Sequence, residues 1–261
     1  MSTQSIPSIW SAATRAWGDA FRAISRMPGL ALTMAAILLL FQLVSLVVGL
    51  DVVMDDGAVR FGIGASLTTL VLSAIKAVLL APFAIAVHRF VLLGEVTRHY
   101  RLDPADERFL RFAFYGVLLA VLSVLPHLVG AIFALVWRGF GGFASFVLHI
   151  VVAVIAVRVA ILFPAVAVDA TDPTWRHAID DTKGHSWHVF FVLLVAGLGL
   201  VPLALVLIAP FVASAIDHDG APTGFAQIMI AIGTGLLMLV ATTVLVAAAS
   251  RLYRALSVSL G

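Results

Sequence analysis

The chain has no cysteine in 261 residues, which removes disulfides, thiolate nucleophiles and cysteine-ligated zinc or iron–sulfur sites from the chemistry open to it. Charge is nearly as scarce. Asp, Glu, Lys and Arg supply 11% of the sequence, against about 25% in an ordinary soluble domain. With 62% apolar residues and a mean hydropathy of +1.11, so little charge cannot cover a water-facing surface. A large soluble enzyme is excluded, and so is a disordered chain, which needs many charges and few apolar residues. A net charge of +2 gives no ground for nucleic acid as a partner. No Gly-x-Ser-x-Gly, His-Glu-x-x-His or phosphate-binding Gly-rich loop is present. Asp55-Asp56-Gly57 with Arg60 lacks the spacing of a CDP-alcohol phosphotransferase signature. The expectation is therefore a protein that is not an enzyme, with no catalytic residues and no cofactor.

What the sequence does have is long apolar runs. Six stretches reach the length of about 20 residues that a helix needs to cross the hydrocarbon of a bilayer. They lie at 29–50, 64–92, 110–136, 143–163, 189–214 and 224–250, separated by Asp, Gly and Pro. Backbone polar groups in lipid must be satisfied within the segment, so the runs read as helices. The fold class expected is an all-α membrane protein, one polytopic domain over 1–261, with six transmembrane helices arranged as three hairpins.

The basic residues orient it. Arg15, Arg22 and Arg26 precede the first span, and Arg89, Arg98, Arg101, Arg108 and Arg111 gather around the second connection. Arg176 and Lys183 lie before span five, and Arg251 and Arg254 follow span six. Twelve of the sixteen basic residues thus fall on one side, with only Arg60 and Arg138 opposite. That asymmetry predicts both termini in the cytoplasm. The opposite loops carry Asp51, Asp55, Asp56, Asp217 and Asp219.

Each hairpin is preceded by a segment mixing charge with aromatic residues. In the first, over 7–27, Trp10, Trp17, Phe21 and Ile24 share one helical face and the three arginines another, the pattern of an interfacial amphipathic helix rather than a signal peptide. Segments 95–110 and 165–188 follow the same composition. The expected lipid-headgroup contacts are Arg15, Trp17, Arg22, Arg26, Arg89, Arg158, Trp175, Trp187, Arg251 and Arg254. Ile85-Ala86-Val87-His88-Arg89 echoes Ile155-Ala156-Val157-Arg158, and each arginine precedes an Asp-Pro pair by the same interval. Internal repetition and the ordinary enrichment of arginine at cytoplasmic helix ends both explain the echo.

Lys76 is the one cation deep within a span. It must face the bundle interior, an aqueous cavity or carbonyl partners near Pro82. With His127 and His149 it forms a candidate intramembrane polar site, three residues expected to line one pocket. Breaks at Pro126, Pro202 and Pro210 would suit such a site. His177, Asp181, His185 and His188 recur at spacings that would place them on one helical face as weak metal-ligand candidates, opposed by Gly184 within the run. Gly197/Gly199 and Gly233/Gly235 read as close-packing positions.

The run Arg158, Leu162-Phe163-Pro164-Ala165, Asp169, Ala178, Thr182-Lys183-Gly184, Trp187 and Phe190, with Ala16-Trp17 through Arg26-Met27-Pro28, resembles a family of uncharacterised bacterial six-helix inner-membrane proteins. The pattern is similar to the YciC group and to the membrane domain of glycerophosphodiester phosphodiesterase-like proteins. Asp180-Asp181 and His185 depart from it, and no catalytic barrel is present. The resemblance implies a multi-pass protein of the bacterial inner membrane that contacts envelope lipids, with a membrane protein or a second copy as a further partner. Two roles follow from the residues: a non-enzymatic scaffold, regulatory or assembly factor, or a carrier or binding protein for a lipid or small solute using Lys76, His127 and His149.

Overall fold

With no water to satisfy backbone groups, an apolar run in a bilayer closes its hydrogen bonds along its own axis. The computed structural model, which describes residues 7–48, 53–55, 58–60, 63–135, 137–171, 173–216 and 224–257, has six helices long and apolar enough to cross a membrane. Asp51, Asp56, Asp217 and Asp219 lie outside the described residues.

The chain opens with α1 (Ile9–Arg26), capped by the Ser8 hydroxyl, which accepts from the Ser11 N–H. Met27 separates it from α2 (Pro28–Val48), where proline occupies the first helical position and its missing N–H costs nothing. A short antiparallel hairpin, β1 (Val53–Asp55) with β2 (Ala58–Arg60), leads to α3 (Ile63–Leu93). This pair is a small exception to an otherwise helical fold. The Asp56-Gly57 dipeptide between the strands is the sequence signal that could have announced it.

Helix α4 (Glu107–Ala134) is capped by Asp106 and runs through Pro126 without breaking. Then come α5 (Arg138–Val159), α6 (Leu162–Ala167) and α7 (Trp175–Asp181). The fifth apolar run is divided into α8 (Ser186–Leu198), α9 (Leu200–Leu207) and α10 (Ala209–Ile216). Its breaks fall just ahead of Pro202 and Pro210, which sit in the first turns of α9 and α10, where a missing N–H costs no helical hydrogen bond. The chain ends on α11 (Gly224–Leu256), six residues longer at its C-terminal end than the span expected from hydropathy.

Helix α11 is the hub, packing against α1, α2, α3, α6, α8, α9 and α10. Close approach is possible because its helix-facing positions are small: a Cβ on Gly233 would stand 2.8 Å from the Leu207 carbonyl oxygen. Gly235 lies against Leu39 and Gly199 against the Trp17 indole, whereas Gly197 faces open space. Helix α4 packs closely on α5, and just as closely on α3, which the three-hairpin expectation places in a different pair. Helix α2, by contrast, packs mainly on α11 and only lightly on α3. The loosely joined α2–α3 pair leaves a groove, described below.

Of the three charged and aromatic connecting segments, only the first is a single helix. Residues 94–106 form a loop that starts at Gly94 (φ 74°), and the third segment is divided between α6 and α7. Large apolar side chains such as Leu32, Val47, Phe146 and Val206 stand exposed on the outside, as lipid-facing positions do.

The α4–α5 crossing depends on glycine. A Cβ on Gly141 would meet the Gly130 carbonyl oxygen at 2.6 Å and the Ala134 nitrogen at 2.7 Å, while a Cβ on the adjacent Gly142 meets nothing within 4 Å. Gly141→Ala should therefore destabilise the protein by about 1–3 kcal/mol and Gly142→Ala should not, as read by thermal unfolding in detergent.

Candidate functional site

Helix α1 has three faces rather than two. Its alanines, Ala12, Ala13, Ala16, Ala20 and Ala23, are buried against the bundle, with Asp19 among them. On one flank Trp10 and Phe21 stand exposed, and Trp17 donates its indole N–H to the Ala196 carbonyl at 3.0 Å. On the other flank Arg15, Arg22 and Arg26 are exposed. Small residues let the α1 backbone approach α11 and α8 closely, which leaves the aromatic and arginine flanks free to face outward on either side.

Asp19 holds this helix in place. Its carboxylate accepts from Arg251 Nε on α11 and from Arg22 Nη2, each at 2.5 Å. A second carboxylate works in the same way nearby. Asp169 sits in left-handed backbone (φ 56°), and its side chain accepts from Arg108 Nε on α4 at 2.8 Å and Arg89 Nη1 on α3 at 3.4 Å. Arg89 also reaches both oxygens of Glu95, at 2.7 and 2.8 Å, and the Ala167 carbonyl at 3.0 Å. Arg254 donates to the carbonyls of Val91 and Leu92 at the end of α3. Beneath them the fully buried His88 bonds Ser250 Oγ at 2.7 Å, and that hydroxyl in turn donates to the Val246 carbonyl.

The arginines expected to touch lipid headgroups therefore divide. Arg15 and Arg26 are exposed, and Arg22 is exposed beyond its bond to Asp19. Arg89, Arg251 and Arg254 are occupied within the protein, as helix clamps. Arg158 has its Nε buried without a hydrogen-bond partner among the described residues, and so do Trp175 Nε1 and His188 Nε2. Trp187 is exposed beside Phe190 and Phe191. Of the two echoing arginines, Arg89 finds a carboxylate from a distant segment, as Arg251 does at the end of α11. Arg158 does not.

The three candidates for an intramembrane polar site also divide. His127 and His149 come together, ring centroids 4.6 Å apart, and His149 Nδ1 bonds the Ser145 carbonyl at 2.8 Å. Lys76 is elsewhere. It lies thirteen residues after Ile63 and seventeen before Leu93, near the middle of α3. It lines a groove of about 140 Å³ with Leu38, Phe41, Gln42, Ser45, Thr69, Leu72 and Ser73, and neither histidine is part of that groove. Gly116 of α4 packs beside Ala77, the next residue of α3, and His127 lies eleven residues farther along α4. At 1.5 Å per residue that sets the histidines about 16 Å closer to the arginine-poor end. The single pocket expected of all three residues is thus two separate places, because α2 and α4 cover different sides of α3.

Nor do carbonyls near Pro82 satisfy the lysine. The Leu79 carbonyl accepts from the Tyr100 hydroxyl at 2.7 Å, a contact that buries the phenol and pushes its pKa up. Among the described residues, Lys76, Gln42, Thr69 and Ser73 have no hydrogen-bond partner. In a bilayer an ammonium so placed costs at least about 2.5 kcal/mol. The polar companions have a legible signature, since Thr69, Ser73 and Lys76 share one face of α3, and Gln42 and Ser45 one face of α2.

The metal-ligand candidates fall on different elements. His177 and Asp181 belong to α7, His185 precedes α8 and His188 lies in its first turn, with Gly184 (φ 81°) turning the chain between them. Among the described residues no cluster of three or more His, Cys, Asp or Glu side chains could hold a metal ion.

Six helices of this length and apolarity fit a multi-pass integral membrane protein. Compared with protein-family models, curated proteins and solved structures, the chain matches none.

Removing the α1 clamp should be costly, because it strands the partly buried Arg251 guanidinium. Asp19→Asn should lower stability by about 2 kcal/mol. The double variant Asp19→Asn/Arg251→Gln should be less destabilised than the sum of the single changes, in a double-mutant cycle read by thermal unfolding.

Proposed function

We propose that this chain is a non-enzymatic integral protein of the bacterial cytoplasmic membrane, a scaffold, regulatory or assembly factor that grips anionic lipid at its arginine-rich end. The observation that carries the reading is α1. Clamped by Asp19 and its alanine face, it displays Trp10 and Phe21 on one flank and Arg15, Arg22 and Arg26 on the other. An aromatic flank suited to acyl chains beside a cationic flank suited to phosphates is the chemistry of an interfacial helix. The bundle supports it further with Trp187, Phe190 and Phe191 at the start of α8 and with the exposed Arg101.

The positive-inside asymmetry supports cytoplasmic termini. The resemblance of 158–190 to six-helix inner-membrane proteins supports the bacterial cytoplasmic membrane as the location. No catalytic motif in the sequence argues for a reaction, and a protein partner or second copy bound through the exposed α1 flank belongs to this role.

Two measurements test the reading. Arg15→Gln/Arg26→Gln removes two cations worth about 1 kcal/mol each near an anionic surface. Compared in a Lys76→Met background, the variant should retain about 30-fold less phosphatidylglycerol through purification, by native mass spectrometry, and unchanged retention refutes the role assigned to α1. Because the chain has no native cysteine, Arg101→Cys should react with a membrane-impermeant maleimide only in inverted vesicles, and Trp137→Cys only in intact cells. The opposite pattern refutes the orientation.

A further inference from the structure

We propose that the α2–α3 groove is a binding site for the oxyanion headgroup of one membrane amphiphile, a carboxylate or phosphate carried on an acyl chain. The site is independent of the α1 flank.

Lys76, Gln42, Thr69 and Ser73 form a cluster of hydrogen-bonding side chains with no partner among the described residues, near the middle of the longest run of α3. Ser45 adds a hydroxyl whose own proton goes to the Phe41 carbonyl, 2.9 Å away. One cation is surrounded by neutral hydrogen-bonding groups, and among the described residues no carboxylate lines the groove. That composition suits a ligand with one negative charge and several acceptor oxygens. A zwitterionic head would bring its amine to a site with no acid to receive it.

Size and surroundings narrow the ligand. A cavity of about 140 Å³ admits a carboxylate or phosphate but not a bulky solute. On α3, Val71 and Ile75 flank the groove residues Leu72 and Lys76 in sequence and stand exposed on the outside of the bundle, where an acyl chain would lie. A second copy of this chain is a poor occupant. Across the six spans the only acidic residue is Glu107, at the very start of α4, so another copy has no carboxylate at the depth of Lys76.

The test uses the full chain purified in neutral detergent and titrated with oleate, phosphatidate, phosphatidylglycerol or phosphatidylcholine, with binding read by native mass spectrometry and thermal stability. Wild type should hold one anionic amphiphile per chain in the groove, in addition to any lipid on the α1 flank, and be stabilised by it. Preference for oleate identifies a carboxylate ligand, and preference for phosphatidate or phosphatidylglycerol a phosphate. Lys76→Met should bind about tenfold or more weakly, Lys76→Arg should bind nearly as wild type, and Ser73→Leu, which keeps the charge but fills the groove, should also lose binding. Without added lipid, Lys76→Met should be at least as thermostable as wild type, which separates loss of ligand from loss of fold. Arg15→Gln/Arg26→Gln should keep the single bound amphiphile. Equal binding of phosphatidylcholine, undiminished binding by Lys76→Met, or disulfide cross-linking of Ser45→Cys between two copies in place of lipid overturns the proposal.

Discussion

Charge withdrawn from water has to be met by opposite charge or by hydrogen-bond acceptors, and at the arginine-rich end of this bundle two carboxylates supply most of that compensation. Asp19 joins α1 to α11, and Asp169 joins α3 and α4 to the segment after α6. Neither bond is between neighbours in sequence. In a fold whose helices otherwise present apolar surface to lipid and to each other alike, such contacts can set register where hydrophobic burial cannot. The geometry of the remaining helices follows from them. With α1 fixed on α11, its alanines are committed inward, and the aromatic and cationic flanks have only the outside left to them.

Away from that end the bundle uses size rather than charge. Glycine at 130, 141 and 233 lets backbones meet at distances no side chain would permit, and α11 serves as the common packing surface. Helix α2 follows α11 rather than α3. That choice opens a polar groove in the apolar part of the bundle, and it leaves Lys76 with neutral neighbours among the described residues. The same physics thus yields carboxylate-clamped arginines at one end and, near the middle of α3, a lysine with no ion-pair partner among the described residues.

Several features were open to reading from the chain alone. Six apolar runs, the arginine asymmetry and the aromatic and arginine faces of α1 are local patterns, governed by hydropathy and by the 3.6-residue repeat. The alanine face of α1 was there to be read as well, but aromatic and arginine residues dominate the pattern and conceal it. Lys76 stood out because an isolated cation in an apolar run is conspicuous in one dimension. Its companions Gln42, Ser45, Thr69 and Ser73 did not, since hydroxyls and amides are common enough in membrane helices to pass unnoticed until two helices face each other.

The sequence by itself determined the class of protein, the number and approximate limits of the spans, the sidedness of its basic residues and the presence of one lysine far from either end. Only the tertiary structure decided that Arg89 and Arg251 are clamps and Arg158 is not, that the two histidines pair with each other, and that Lys76 faces α2. The reason is physical. Periodicity and hydropathy act over a few residues, whereas Asp19 and Arg251 lie 232 positions apart, and their meeting depends on how each helix is rotated and shifted against the next.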